Sequence, residues 1–185
     1  MRSALSALMT ALLLLTGCAG GPGVEGKLER QRDALRSCPE IRFQAEVTGA
    51  AGDRVFTCTL DCVSTPEETV LTVASPESIA GIAAVTDGET GSLVCDGLCL
   101  GLGTLPGTEL APAAAPGRLV RAWARDWIAS AGTEDGALLA CYEDGSLTAR
   151  TWFDAEGVPL RAELSIDGRT RFTAEIRNFQ WNPSP

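Results

Sequence analysis

The sequence predicts an α+β domain built largely of antiparallel strands, and three observations carry that expectation. Apolar and polar residues alternate over whole stretches, with Ile41, Phe43, Ala45 and Val47 standing between Arg42, Gln44, Glu46 and Thr48, the period of a strand with one buried face. Asp-Gly or Glu-Gly pairs at 87–88, 96–97, 144–145, 156–157 and 167–168 separate such stretches. These pairs favour tight hairpin turns over the long crossovers that parallel strands need. Helical signals are few and short, and a length of 185 residues fits one domain.

The chain opens on a segment outside that domain. After Met1 and Arg2 an apolar run extends from Ser3 to Thr16, too short to span a membrane comfortably but long enough for the core of a signal peptide. Leu15-Thr16-Gly17-Cys18 closes it and resembles the lipobox of bacterial lipoproteins. The resemblance implies a signal peptide over residues 1–17, lipidation of the Cys18 thiol, and anchoring to the cell membrane on its extracytoplasmic side. Two acyl chains hold stably where one does not, each buried methylene contributing about 0.8 kcal/mol. Residues 18–24, rich in glycine, read as a lipidated tether, and residues 25–185 as the folded domain.

Within that domain, Glu25 to Arg36 is charged, with a thin stripe of Leu28, Ala34 and Leu35. It reads as an exposed, solvated helix that stops before Pro39. Two alternating strands follow, the second carried by Phe56, Cys58, Leu60 and Cys62. Thr69 to Ala74 is apolar on both faces, which predicts a strand covered on both sides. Ser75-Pro76-Glu77 predicts a short helix ending near Gly81, with Ser75 as N-cap, Pro76 in the first position and an acid in the first turn.

Ile82 to Thr86, Ser92 to Asp96 and Leu98 to Leu100 read as short strands joined by Asp87-Gly88 and Asp96-Gly97. Gly101 to Gly117, with its glycines and prolines and no period, reads as a long loop. Leu119, Val120, Trp123, Trp127 and Ile128 recur at helical spacing between Pro116 and Ser130, so this is the most apolar helix expected. Four strands close the chain, at Leu138 to Tyr142, Ser146 to Phe153, Pro159 to Ile166 and Thr170 to Phe179.

Besides Cys18 there are six cysteines, at 38, 58, 62, 95, 99 and 141, an even number that permits disulfides in an exported protein. Four residues of strand span roughly 13 Å, so Cys58 and Cys62 share a face but cannot bridge. A two-residue turn at Asp96-Gly97 sets Val94 opposite Cys99 and leaves Cys95 and Cys99 on opposite faces. If Gly49-Ala50-Ala51-Gly52 is a four-residue hairpin loop, Cys38 falls opposite Val63, which predicts a Cys38–Cys62 bridge. Buried free thiols that behave as small hydrophobes are the alternative. The C-x3-C spacings are looser than zinc knuckles, and no histidine completes a mixed site, so no metal is expected.

Composition narrows function further. The chain has no histidine, which removes Ser-His and Cys-His nucleophile pairs and the usual neutral-pH base. Lys27 is the only lysine. A formal charge of -9 and a pI near 4.5 argue against nucleic acid as a partner. Acid pairs such as Glu134-Asp135 and Glu143-Asp144 fall in turns, where solvation explains them. The residues offer no catalytic constellation and call for no cofactor, so a non-enzyme is expected.

The order of elements, with Trp152-Phe153-Asp154-Ala155-Glu156-Gly157-Val158-Pro159-Leu160-Arg161 as the local phrase, resembles the LolA/LppX lipoprotein-carrier superfamily. There an aromatic-Asp pair, a glycine turn and Pro-Leu precede an outgoing strand. The resemblance implies one strongly curved, incompletely closed antiparallel sheet, a half-barrel, with helices covering its concave face. It also implies a cavity between sheet and helices that takes a lipid or an acylated partner. Phe43, Phe56, Leu60, Leu160 and Leu164 would face Trp123 and Trp127 across that cavity. A monomer that binds a hydrophobic or amphiphilic envelope ligand is the leading expectation. The alternative is an envelope interaction or stress-sensor module of the same fold that binds a membrane protein and carries no ligand.

Overall fold

In a computed structural model that describes residues 22–51, 54–87, 90–104 and 114–181, the chain folds around one eleven-stranded antiparallel sheet that does not close into a barrel. The first helix, α1 (Pro22–Arg36), precedes strands β1 (Ile41–Ala51), β2 (Arg54–Ser64), β3 (Thr69–Ser75), β4 (Ala83–Thr86), β5 (Thr90–Cys95) and β6 (Leu98–Thr104). The second, α2 (Ala115–Arg125), precedes β7 (Trp127–Glu134), β8 (Ala137–Asp144), β9 (Leu147–Phe153), β10 (Pro159–Ile166) and β11 (Arg169–Trp181). The spatial order is β6-β5-β4-β3-β2-β1-β11-β10-β9-β8-β7. Every neighbouring pair is consecutive in sequence except β1 and β11, which meet in the middle of the sheet. The expected half-barrel is therefore present, as two meanders joined along one long-range seam.

Tight turns make the meanders. Asp96-Gly97, Asp135-Gly136 and Asp167-Gly168 each adopt positive φ at both positions, the type I′ geometry that matches strand twist. Val94 stands opposite Cys99, as the turn chemistry predicts. The β9–β10 turn is built differently: the Asp154 carboxylate accepts the amides of Glu156 and Val158 at 3.0 and 2.8 Å, and Gly157 takes a positive φ of 87°. The Asp in the Trp152–Arg161 phrase thus organises its own turn.

The concave floor is made of small side chains. Ala140, Thr151, Ala162 and Ala174 are paired in register across β8, β9, β10 and β11, all buried. Onto this shallow strip α2 lowers Trp123, whose ring packs against Phe43, Phe153 and Phe179 at centroid separations of 5.8, 6.4 and 5.9 Å. On the convex face Trp152 lies beneath the Arg161 and Arg150 guanidiniums at 3.9 and 4.8 Å. Its indole donates to Glu134 Oε2 at 2.6 Å, tying edge strand β7 to β9.

Several expectations are corrected. The apolar helix ends at Arg125, not Ser130, because β7 starts at Trp127 and hydrogen bonds to β8. Helical spacing and strand alternation coincide over these few residues. Part of the stretch read as loop, up to Thr104, belongs to β6, while residues 105–113 lie outside the described part. Ser75 ends β3 and caps nothing; a single 3-10 turn, Glu77–Ile79, has Pro76 at its N-cap position and no side-chain cap bond.

The first helix is not a solvated spacer: Leu28, Gln31 and Leu35 form a buried stripe, and each fully buried leucine contributes about 1.5–3 kcal/mol. It also begins at Pro22, inside the stretch read as tether. The β1–β2 hairpin is tighter than expected, with Ala51 opposite Arg54. That register puts Phe43, not a residue near Cys38, opposite Cys62. Cys38 lies before β1, and no disulfide joins it to Cys62, so the predicted bridge is not formed. The signal peptide and Cys18 lie outside the described residues.

Candidate functional site

A cleft of about 260 Å³ opens between the two helices and the concave face of β1 to β4. Strand pairing explains its floor. Ile41, Ser64, Thr69 and Thr86 are directly paired across β1, β2, β3 and β4, so their side chains stand in one row on the concave face. Ser64 and Thr69 satisfy each other through a 2.8 Å hydroxyl contact. Leu35, Val120 and Ala124 from the helices supply the apolar roof.

The next row extends the apolar surface outward. Cys62, Leu71, Ala84, Leu93 and Leu100 are paired in sequence across β2 to β6. Leu71 is buried, but towards the sheet edge Leu100 is 63% exposed and its face-mate Leu98 77% exposed. Beyond the cleft, the same face of the sheet thus ends in a leucine-bearing wing. Exposed apolar patches of this kind mark binding surfaces.

Charge frames the mouth. Arg36 ends α1, and Arg118, Arg121 and Arg125 share one face of α2. Arg36 Nε donates to the Ala124 carbonyl at 3.3 Å. Arg118 reaches Asp144 at 3.7 Å, and Arg121 reaches Asp126 at 3.7 Å and Asp144 at 4.0 Å. Desolvation pushes the Asp126 carboxyl up from its ordinary range, partly offset by the Arg121 charge. Across the mouth, Glu67 and Glu68 sit in the β2–β3 turn, which the Thr65 hydroxyl fixes by accepting both their amides at 3.3 and 3.2 Å.

A second hollow of about 350 Å³ lies at the other end of α1, near Lys27, Leu138 and Trp181. The Gln31 side-chain amide crosses it to donate to the Gly157 carbonyl. That contact ties α1 to the β9–β10 turn, so a packing role accounts for this hollow.

None of the seven residues expected to line a cavity lies in the cleft. Phe43, Leu60, Trp123 and Leu164 are buried core, and Phe56 packs against Phe172 at 6.1 Å. Trp127 is 75% exposed, paired with Glu143 on the convex side. Leu160 sits at a register shift that turns it outward. Hydrophobicity singles out the core, and the cleft floor was passed over because it is built from hydroxyls and small residues. Its sequence signal is Thr69 and Thr86 at inward positions of strands that are otherwise apolar.

An open half-barrel whose helices leave a cleft over the concave face is an architecture that solved structures share. A chain in the complex of the CwlD amidase with the GerS lipoprotein of Clostridioides difficile is similar over 90% of this chain and 99% of that one, at 14% identity and a TM-score of 0.50. A DUF1329-family protein from Desulfovibrio piger is similar over 88% and 94%, at 10% identity and a TM-score of 0.50. The Mycobacterium tuberculosis lipoprotein LppX aligns over 89% and 97%, at 13% identity and a TM-score of 0.46. At these identities the likeness is one of fold. No family model matches the sequence, and no curated protein is similar to it. Among the described residues, no helix is long and apolar enough to cross a membrane.

Proposed function

We propose that the chain is a lipoprotein anchored through Cys18 on the extracytoplasmic side of the cell membrane, and that it binds a hydrophobic or amphiphilic ligand without catalysis. The ligand, a lipid or an acylated partner, occupies the cleft under α2. The observation that carries this reading is a charge-rimmed cleft with an apolar roof of Leu35, Val120 and Ala124, on a sheet whose far edge exposes Leu98 and Leu100. Small-molecule sites combine apolar walls with a few placed polar groups in this way. Of the seven residues named from the sequence, Phe43, Leu60, Trp123 and Leu164 are core that supports the sheet, and the contact set moves to Leu35, Val120, Ser64, Thr69 and the wing leucines.

Native mass spectrometry of the full chain purified from membranes tests the reading. One bound amphiphile per protein is expected, lost in Val120→Trp, with a native far-UV circular dichroism spectrum as the check that the variant still folds. A protein that carries no amphiphile and takes none up overturns it. Cys18→Ala is expected to move the chain out of the membrane fraction.

A second reading, a protein-binding module, is favoured by edge strand β6. Leu98–Thr104 carries no charge or proline, the features that usually protect an edge from pairing with another chain. Amides of β6 that exchange freely in the membrane-anchored protein would exclude it.

A further inference from the structure

We infer that the cleft selects a headgroup carrying both an anionic phosphodiester and a primary ammonium, a phosphoethanolamine-type amphiphile; the inference rests on the ligand-binding reading above and specifies its chemistry. The two walls of the mouth carry opposite charge. Arg36, Arg118, Arg121 and Arg125 line the helical wall, and Glu67 and Glu68 line the sheet wall. Yet among the described residues no ion pair joins the two. Arg118 and Arg121 turn to Asp126 and Asp144 at 3.7 to 4.0 Å, and the side-chain bond of Arg36 goes to a backbone carbonyl. Opposite charges that line one cleft without meeting are held apart by the fold, and a zwitterion bridges such a gap. Guanidiniums suit the phosphate because their fork donates to two oxygens at once.

The cation is also specified. A quaternary ammonium is usually held by aromatic faces, and among the described residues the cleft lining contains no aromatic side chain. Carboxylates of Glu67 and Glu68 instead accept hydrogen bonds, which a primary ammonium supplies and a trimethylated one does not. Size fits the same assignment. About 260 Å³ is just below the usual size of a small-molecule site and holds a headgroup, so the acyl tail lies outside the cleft, against the exposed Leu98 and Leu100 at the sheet edge.

Calorimetric titration of the full chain bearing Cys18→Ala tests this with four probes. Three are single-chain lysophospholipids with the same twelve-carbon tail and ethanolamine, choline or glycerol headgroups, used below micelle formation; the fourth is O-phosphoethanolamine without a tail. The ethanolamine lipid is expected to bind about tenfold tighter than the other two lipids. Glu67→Lys with Glu68→Lys should remove its advantage over the glycerol lipid, and Arg36→Glu with Arg125→Glu should weaken all three. The Glu67 and Glu68 positions are exposed, so the urea midpoint of that variant should stay unchanged, while the arginine variant, which loses the bond to Ala124, is compared at a concentration and temperature where circular dichroism shows it folded. Equal affinity for the three lipids overturns the headgroup assignment while leaving the cleft a lipid site. Tail-free phosphoethanolamine binding as tightly as the lipid overturns the tail path. No binding by any lipid overturns the ligand-binding reading itself.

Discussion

The indole Nε1 of Trp123 donates a 2.9 Å hydrogen bond to Thr151 Oγ1, joining α2 to the middle of the concave floor where both side chains are buried, at 1% and 0% exposure. Water cannot replace either partner there. Thr151→Val keeps the shape and orphans the indole N–H, which is expected to cost about 1–3 kcal/mol. Trp123→Phe removes the donor and some volume. The double variant should lose less than the sum of the two, because an orphaned partner is counted in each single variant. Urea unfolding of the four proteins measures the coupling.

Gly49 stands between Phe56 and Phe172, its register partners on β2 and β11. A Cβ there would lie 2.6 Å from both rings. Gly49→Ala therefore forces the two rings apart and is expected to destabilise by about 1–3 kcal/mol. Gly132→Ala, on edge strand β7 with open space around it, should stay within about 0.5 kcal/mol. Thermal melts of the pair check the contrast.

Tyr142 is the single tyrosine, so its ionisation is read without interference at 295 nm. Burial pushes its phenol up from an ordinary 10.0, and burial likewise pushes up the Cys62 thiol from an ordinary 9.0. In both cases the folded state holds the proton more tightly than the unfolded one. The stability linked to them is complete below the unfolded values and is lost as pH rises beyond them. Above pH 9 to 10 the unfolding free energy read from urea titrations should fall, by up to about 1.4 kcal/mol per pH unit for each group. Phenolate absorbance should appear with unfolding and not at pH 10. A reversible titration near 10 in the folded protein would contradict this burial.

The thiols divide by depth. Cys95 and Cys99 are exposed on the β5–β6 hairpin, while Cys38 and Cys62 are buried. Under native conditions an aromatic disulfide reagent should label Cys95 and Cys99 quickly, since attack needs an accessible thiolate. Cys38 and Cys62 should react only on unfolding. Mass mapping of the labelled peptides gives the order.

Much of this architecture was legible because turns and alternation are local. Asp96-Gly97 fixed its hairpin, Pro159 to Ile166 matched β10 residue for residue, and the Trp152–Arg161 phrase pointed to the fold. Strand β7 was misread as helix because Trp127 and Ile128 continue the spacing of Trp123. The Asp135-Gly136 pair, which closes the β7–β8 hairpin, was the signal that contradicted a helix there. The β1–β2 register differs because the small residues at 49–51 look like a loop while serving as strand, with Gly49 between two aromatic rings. The cleft was not legible, since its walls are assembled from α1, α2, the β2–β3 turn and the end of β4, and no local pattern records that meeting.

The seam between β1 and β11 sets how the molecule can change over evolutionary time. Both strands of that seam have a neighbour on each side, so an inserted residue in either shifts two ladders at once. The sheet's two edges, β6 and β7, are instead consecutive in sequence, with α2 between them among the described residues. Variation in length or composition there breaks no pairing on the free side. The middle of the chain is thus where descendants change most cheaply, while the ends of the folded domain keep the frame.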